Sequence, residues 1–581
     1  MLLSEGFLEQ HRDDIEVGPE PATLVRFVRG EADLPAFQRH ASAAVGHEVV
    51  VQFTADDEAA AINRTLGVQT VGLGILAAVA SIGTLAAIAQ ALSRLLDGAL
   101  AELPILVAMG VEPRQRLILG GLLGLPIALL GAAVAAAVAF LASPLVPTGL
   151  ARAVDPARGH RLDLTVVTAT ATLWIVALAG AGVAAAWRHR VVPERHRPEG
   201  RTRRLLRPLP LRARLGCEAA LTPLNRAGGA ASRSAMMAFV VSLAGVTAIA
   251  TFGASLDHLL AAPVLQGWSF DAVIVNGETD LDSLRVSLAP LSQDSAVSEV
   301  AWAAVVDIAI KDTMVEAYAF DPDAGNLHPT MRSGRPPRAE DEIALGADIM
   351  RGLGASLGDT VEISGPTGRE RLTIVGSATY PELGHNGDLG STVSLTRAAA
   401  QRVGAPEHGG GALIRLHAGQ GPAALAAYGD VGEIITPFAP ARVRNLRQIG
   451  QLPWLLVALA STLGVLAFAH GLWVSIRGRR RDLAVLASVG FRRRDIRAMH
   501  LWQATCIAAI GAVTGVAAGV IVGTIAWSTV ATATAVVDRH VVPAVVLLLI
   551  AGGSFLACNL IALAETSRAR RTTIAAGLRG E

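Results

Sequence analysis

Lysine is almost missing from this chain. Fifty of its 581 residues are Lys or Arg, yet the single lysine is Lys311, in Ile310-Lys311-Asp312. A phosphate-binding P-loop needs Gly-Lys-Ser or Gly-Lys-Thr, because the lysine amine must reach phosphates cradled by the backbone. The chain has no such loop, so it is not itself a P-loop ATPase. Cysteine is sparse too. Cys217, Cys506 and Cys558 stand far apart with no metal or redox spacing, and they read as small apolar fillers. None lies in the acid-rich stretch 257–433, which excludes a disulfide framework there. Aromatic residues are only 4%, so Ala, Leu, Val and Gly supply the apolar mass. No signal peptide is visible either: Met1-Leu-Leu-Ser-Glu-Gly6 lacks a positive n-region and an apolar h-region.

What the chain does have is apolar length. It is 52% hydrophobic, too apolar for an ordinary soluble protein and too long for one domain. Seven runs approach or exceed the roughly 20 residues that span a bilayer: 67–91, 117–142, 164–187, 235–256, 452–475, 499–527 and 541–564. The net charge of +1 conceals segregation of opposite charges. Arg188, Arg190, Arg195, Arg197, Arg201, Arg203, Arg204 and Arg207 lie between runs three and four. Arg477, Arg479, Arg480, Arg481, Arg492, Arg493 and Arg494 lie between runs five and six, and Arg568, Arg570 and Arg571 follow run seven. Alternating crossings put all three clusters on one side, the cytoplasmic one by the positive-inside rule. The acid-rich region and the N-terminus then fall outside. Beside seven spans, the Arg clusters read as facing membrane lipid, and no nucleic-acid partner is expected.

Residues 1–64 hold no span, only an amphipathic piece near Leu34 to Val45 and a strand-like run, Val49 to Phe53. An external N-terminal segment needs something to export it. Either span one translocates it, or the chain begins inside a longer ancestral domain and lacks its first membrane helix. Residues 258–448 form a large non-membrane domain. Its strand signals are Asp271–Val275, Val305–Ile310, Val361–Ser364, Leu372–Val375 and Leu413–Leu416; its helix signals are Ser283–Leu291 and Leu395–Val403. The expected fold class is therefore an α-helical polytopic membrane protein, with about seven transmembrane helices and an α+β extracytoplasmic domain.

A shift of 380 residues aligns the two ends of the chain. Glu102-Leu103 falls on Asp482-Leu483, Leu106 on Leu486, Gly110 on Gly490, Arg114 on Arg494 and Gln90 on His470. Gly131, Ala135, Ala139 and Ser143 fall on Gly511, Gly515, Gly519 and Gly523. A small residue at every fourth position makes a smooth helix face, on which another backbone can pack closely in lipid. In each copy an inward-running span turns into a short amphipathic helix. In the second copy Leu483 and Leu486 share a face, Asp482 suits the positive helix start and Gly490 suits a left-handed cap. Such a helix either lies on the membrane surface, holding Arg against anionic lipid, or docks a protein partner.

The segment Arg479-Arg-Arg-Asp-Leu-Ala-Val-Leu-Ala-Ser-Val-Gly490, with the Arg-rich turn and Gly-rich span after it, resembles the FtsX-like permease domain of MacB-type ABC systems. Asp482 stands where that pattern has Glu. The first copy, Glu102 to Gly110, keeps the acid, both Leu and the Gly but departs at Pro104. Leu215–Ser232 is similar to the family's lead-in helix. Gly334–Gly346 and Leu357–Val361 are similar to its external domain, and Arg29–Leu34 to the tail of a second one. The resemblance implies a permease subunit driven by a separate ABC-type ATPase dimer, which binds the ATP. The chain itself needs no cofactor and is not an enzyme. Its ATPase contacts would be Glu102, Leu103, Leu106 and Gly110 with Asp482, Leu483, Leu486 and Gly490; Gly511, Gly515, Gly519 and Gly523 would serve helix packing.

The implied domains are a remnant of an external domain (1–64), a first permease domain (65–190, coupling helix 94–114) and an Arg-rich linker with lead-in helix (191–233). A membrane helix (234–257), the external MacB-like domain (258–448), a second permease domain (449–566, coupling helix 477–496) and a cytoplasmic tail (567–581) follow. Such a protein would sit in the cell membrane and export or extract a substrate on the outer side. The alternatives are a regulatory membrane protein that passes ATPase motion to an extracytoplasmic partner, or a secondary transporter. The spans lack the mid-membrane acids that ion coupling would need. Other motifs carry little. Gly354-Ala-Ser356-Leu-Gly358 and His408-Gly-Gly-Gly411 mimic an esterase elbow and oxyanion loop, but Ser356 reads as a turn into a strand. Glu382, His385 and Asp388 have ligand chemistry, but Gly384 and Gly387 suggest a mobile loop. Gly72–Ala77 has dinucleotide spacing inside a span and is discarded, and His470, whose counterpart is Gln90, makes no proton relay.

Overall fold

The computed structural model describes residues 33–45, 112–145, 163–188, 206–221, 226–277, 279–311, 313–321, 326–383, 389–440, 443–444, 453–462, 464–466, 486 and 488–568, with isolated positions elsewhere. The chain divides into two compact units, Met1–Leu66 and Gly67–Glu581. In the first unit the described helix is α1 (Leu34–Val45), which coincides with the amphipathic piece read from the sequence. The strand-like run 49–53 and nearly all of apolar run 67–91 lie outside the described residues.

In the second unit the described apolar runs are helices. They are α2 (Pro113–Ala142), α3 (Leu164–Arg188) and, after a short α4 (Leu211–Leu221), α5 (Arg226–Ala261). An apolar helical segment, Pro453–Leu466, follows the sheet domain. Four described stretches are long and apolar enough to cross a membrane: Leu125–Ala142, Phe239–Ala261, Arg493–Ala533 and Ala544–Ala564. The chain is thus a multi-pass membrane protein by its apolar helices. Large side chains such as Leu130, Leu141, Val513 and Leu548 stand exposed on them. In water that would be costly, whereas lipid tails solvate them as well as a protein core does.

The helix ends repeat with the sequence. The shift of 380 residues carries Pro113, the first residue of α2, onto Arg493, the first residue of a later helix (Arg493–Ala533). It carries both ends of α3 onto Ala544 and Arg568, the ends of the last described helix. The two starts are also built alike. Gln115 Oε1 accepts the Glu112 N–H at 2.9 Å, and Asp495 Oδ2 accepts the Arg492 N–H at 2.9 Å. In each case a side chain in the first turn satisfies a backbone donor that the helix leaves open.

Between α5 and Pro453 lies a mixed β-sheet domain with short helices. Its strands are β1 (Ala272–Asn276), β2 (Val297–Ile310), β3 (Thr313–Phe320), β4 (Thr330–Gly334) and β5 (Glu342–Gly346), followed by β6 (Thr360–Ser364), β7 (Arg369–Thr379), β8 (Val393–Thr396), β9 (Glu407–Leu416) and β10 (Glu433–Ile435). Their order is β10-β1-β9-β2-β3-β8-β5-β7-β4, with β6 bridging β2 and β7. The β3–β8 and β5–β7 pairs are parallel and the others antiparallel. Three helices pack on the domain: α6 (Leu281–Ser287), α7 (Ala347–Leu353) and α8 (Arg397–Arg402).

Each helix start has a local cause. Asp280 accepts the Ser283 N–H at 2.9 Å to begin α6, and Thr396 accepts the Ala399 N–H to begin α8, both acting as N-caps. One sheet face buries Ile274, Leu284, Ile308, Ile374, Leu395 and Ile414. The other is aromatic, with Trp268, Phe270, Tyr318, Phe320 and Tyr380. The two buried phenols find partners: Tyr318 Oη donates to Pro381 O at 3.0 Å, and Tyr380 Oη donates to Ala344 O at 2.9 Å. Unpaired, each would cost roughly 1–3 kcal/mol.

All five strands read from the sequence are present, with β2, β7 and β9 longer than their signals. The run Leu395–Val403 divides: Leu395 belongs to β8, and the helix starts only after the Thr396 cap. The run Ser283–Leu291 becomes α6 and a following 3-10 turn, Ala289–Gln293.

Candidate functional site

The helix Arg493–Ala533, here α9, is the longest described element, at 41 residues. At about 1.5 Å per residue it is roughly 60 Å long, about twice the hydrocarbon thickness of a bilayer. One face carries Gly511, Gly515, Gly519 and Gly523, all buried. They lie against α5, residue for residue along its own four-residue ladder. A Cβ on Gly511 would enter the Phe239 ring; on Gly515 it would lie 3.0 Å from Val240 O and 3.1 Å from Leu243 Cβ. On Gly519 it would lie 2.5 Å from Ala244 O, and on Gly523 2.6 Å from Ala248 O. The two backbones are in direct apposition, which only glycine permits at the last two positions. In α2 the corresponding Gly131, Ala135 and Ala139 are exposed, and nothing stands within 4 Å of a Cβ placed on Gly131.

At the Arg-rich end α9 carries a second close partner, α4. Gly216 abuts the Met499 carbonyl, and a Cβ there would lie 2.7 Å from Trp502 Cβ. Polar side chains are buried around this contact: Glu218, Asp495, His500 and Gln503. Arg212 Nη2 reaches Asp495 Oδ1 at 2.8 Å, joining the two helices, and Arg214 Nε holds Glu218 at 3.2 Å within α4. A carboxylate so buried is tolerated only with such partners. Asp495 therefore has two jobs, capping the start of α9 with one oxygen and tying down α4 with the other. The thiols of Cys217 and Cys506 also meet across this interface, although 289 residues separate them in sequence. α10 (Ala544–Arg568) completes the cluster, with Cys558 and Ala562 packed on Ala504, Ile507 and Ala508 and Thr505 Oγ1 donating to Asn559 Oδ1 at 3.0 Å.

The helical turn just before α9 ends at Gly490, whose φ is +102°. The Phe491 N–H donates to Leu486 O at 3.1 Å. A six-to-one bond with a left-handed glycine is a Schellman cap, and a side chain at Gly490 would strain it. Leu486 is half-buried, while Ser488, Val489 and Gly490 are exposed. The other expected contact residues, Asp482 and Leu483 with Glu102, Leu103, Leu106 and Gly110, lie outside the described residues, as do His470 and Gln90.

The remaining motifs resolve into structure. The Ser356 N–H donates to Asp359 Oδ2 at 2.8 Å in the turn before β6. His408 to Gly411 lie in β9, where the bare Gly410 lets α6 approach: a Cβ there would lie 3.0 Å from Leu281 Cα. His385 and Asp388 lie outside the described residues. Among the described residues no group of three or more His, Cys, Asp or Glu is placed to hold a metal ion.

Residues 454–574, which take in the capped turn, α9 and α10, match the FtsX-like permease C-terminal family. Two curated relatives are uncharacterized ABC transporter permeases of Mycobacterium tuberculosis, from strains CDC 1551 / Oshkosh and ATCC 25618 / H37Rv. Each is 28% identical over 204 residues, covering 34% of this chain and 52% of the relative. The chain thus spans about half the length of the curated relatives it matches. It carries an FtsX-like permease C-terminal domain and is distantly homologous to ABC transporter permeases.

The α4 contact is what sequence reading missed. Gly216, Cys217 and Glu218 on one side and Asp495, His500 and Gln503 on the other show no periodic signal. The one available hint was an acid, Asp495, placed directly after three arginines.

Proposed function

We propose that the chain is the membrane subunit of an ABC transporter of the FtsX/MacB type, moved by a separate ATPase dimer that binds and hydrolyses ATP. The observation that carries this reading is the family match over 454–574, because it covers both the short helix ending at Gly490 and the long helix that helix feeds. In this reading Asp482, Leu483, Leu486 and Gly490, and in the first copy Glu102, Leu103, Leu106 and Gly110, face the ATPase. The Schellman cap fixes where the docking helix stops, and Asp495 fixes where α9 begins, so a push on the first is delivered to the second over one short turn. The Arg-rich ends lie in the cytoplasm against anionic lipid. The sheet domain lies outside, where its displacement exports or extracts a substrate, alone or with an extracytoplasmic protein. Residues 65–190 and 449–566 act as paired permease domains.

The test is the double variant Asp482→Arg with Leu486→Arg, co-expressed with the cognate ATPase. The variant is expected to insert normally but to lose both the ATPase from affinity pull-down and the permease's effect on ATP hydrolysis. Undiminished capture and coupling would refute the assignment.

A further inference from the structure

The far end of α9 is finished by another part of the chain. A helix C-terminus leaves its last carbonyls short of intrahelical partners, and here the sheet domain donates to one of them and to the carbonyl just past the cap residue Thr534. Arg351 Nη2, on α7, donates to Thr532 O at 2.7 Å, with Arg351 Nη1 held by Asp348 Oδ1 at 2.9 Å. Thr379 Oγ1, at the end of β7 and fully buried, donates to Ala535 O at 2.8 Å. A guanidinium at this position also meets the negative end of the helix dipole. Ala535 has a φ of +58°, an uncommon conformation for a residue with a Cβ, and it is seated hard on the domain: a Cβ on Gly390 would lie 2.6 Å from Ala535 Cβ. Around these bonds Trp527, Val530, Ala531 and Val536 of the helix end pack with Ala347 and Leu389 of the domain in one buried cluster.

The covalent routes from membrane to sheet domain are α5 and the segment Pro453–Leu466; α9 is not one of them. We infer that α9 nevertheless drives the sheet domain as a rigid shaft, with Arg351 and Thr379 as positioning residues that clamp the domain to the shaft's capped end. The mechanical role rests on the permease reading, while the clamp itself does not. One rod of roughly 60 Å then runs from the capped turn at Gly490, past α4 and α5, to the sheet domain. Both of its ends are held by side chains of other elements.

Spin labels test this in the full chain. One goes on α9 at Val513 and one on the sheet domain at Val286, both exposed, in a background carrying Cys217→Ala, Cys506→Ala and Cys558→Ala. With the clamp intact the label distance is expected to be a single narrow distribution. Thr379→Val with Arg351→Met removes both donors at nearly constant volume and is expected to lose the narrow peak. Thr379→Ser with Arg351 retained keeps the hydroxyl and is expected to restore it, a rescue that a bare packing role would not give. A broad distribution in the parent, or a narrow one in the donor-less variant, overturns the clamp. In the reconstituted complex with the ATPase, ATP is expected to shift the label distance from Leu130 on α2, exposed and outside the shaft, to Val286 in the parent and not in the donor-less variant, with ATP hydrolysis continuing in both. An equal shift in both overturns the shaft and leaves the permease reading standing. No shift in the parent, with the static clamp intact, overturns the shaft through the permease reading itself.

Discussion

Replacing Gly519 by alanine adds one methyl group at the closest described approach of the α9 stripe to the α5 backbone. That methyl carbon would lie 2.5 Å from the Ala244 carbonyl oxygen and 2.5 Å from Thr247 Cβ, about 0.9 Å short of ordinary contact in a close-packed interior. The oxygen is backbone, so no rotamer relieves the overlap and the helices must part. Overpacking of this kind costs about 1–3 kcal/mol, and a gap of about 0.5–1 Å elsewhere along the seam forfeits a quarter to a half of each dispersion contact. The gain in helix propensity, about 0.8–1.0 kcal/mol for Gly→Ala, offsets only part of this. At Gly515 the distances are 3.0 and 3.1 Å, and the two effects nearly cancel. At Gly511 the obstacle is the movable Phe239 ring. The expected order of melting temperature in detergent, followed by tryptophan fluorescence, is wild type and Gly515→Ala highest, Gly511→Ala lower, Gly519→Ala and Gly523→Ala lowest. Phe239→Leu should rescue Gly511→Ala, whereas Thr247→Ser should leave Gly519→Ala unrescued, because the carbonyl remains. A Gly519→Ala protein as stable as Gly515→Ala would refute the backbone-apposition argument.

Two further expectations concern other parts of the molecule. Hydrogen bonds from the Arg335 guanidinium hold the Glu342 carboxyl down at about 2, against a usual 4.5, with backbone N–H groups of Arg338 and Ala339 assisting. A depressed carboxyl contributes stability that is fully present above pH 4.5 and lost as pH falls toward about 2. Glu342→Gln should therefore destabilise the full-length protein at neutral pH by on the order of 1–2 kcal/mol and flatten its acid unfolding in that window; an unchanged acid profile would count against the pairing. The second concerns the meeting of Cys217 and Cys506. Diamide treatment followed by proteolysis in the sheet domain should leave the α4 and α9 fragments joined until reductant is added. Fragments that separate without reductant would show that the two helices do not pack as described.

Much of the fold could be read from local pattern. α1 follows the amphipathic stretch at Leu34 to Val45, and the apolar runs around α2, α3, α5, α9 and α10 are helices because nothing in them breaks the apolar length. Five strands announced themselves through β-branched residues in short runs. β3, β5 and β8 did not, since their burial comes from both faces of a central sheet position and leaves no alternation to detect. Leu395 was drawn into a helix signal because a strand and a helix share one apolar face across the Thr396 cap. The candidate site divides in the same way. The glycine stripe and the cap at Gly490 are local features with a fixed period and a fixed turn chemistry. The α4 contact and the clamp at Arg351 and Thr379 pair residues from distant parts of the chain.

Local sequence alone places this protein in a membrane, holds no Gly-Lys-Ser/Thr within the 581 residues, and repeats its two ends with a spacing of 380 residues. Apolar length, the missing Gly-Lys-Ser/Thr and helix periodicity are properties of neighbouring residues, so they survive without a fold. The tertiary structure decided which partner the glycines face, that Asp495 serves two helices, that Cys217 meets Cys506, and that the end of α9 is capped by a domain to which it is not joined. Those are through-space pairings. Their energies depend on backbone approach and on orphaned helix-end groups finding donors, and neither exists until the chain has packed.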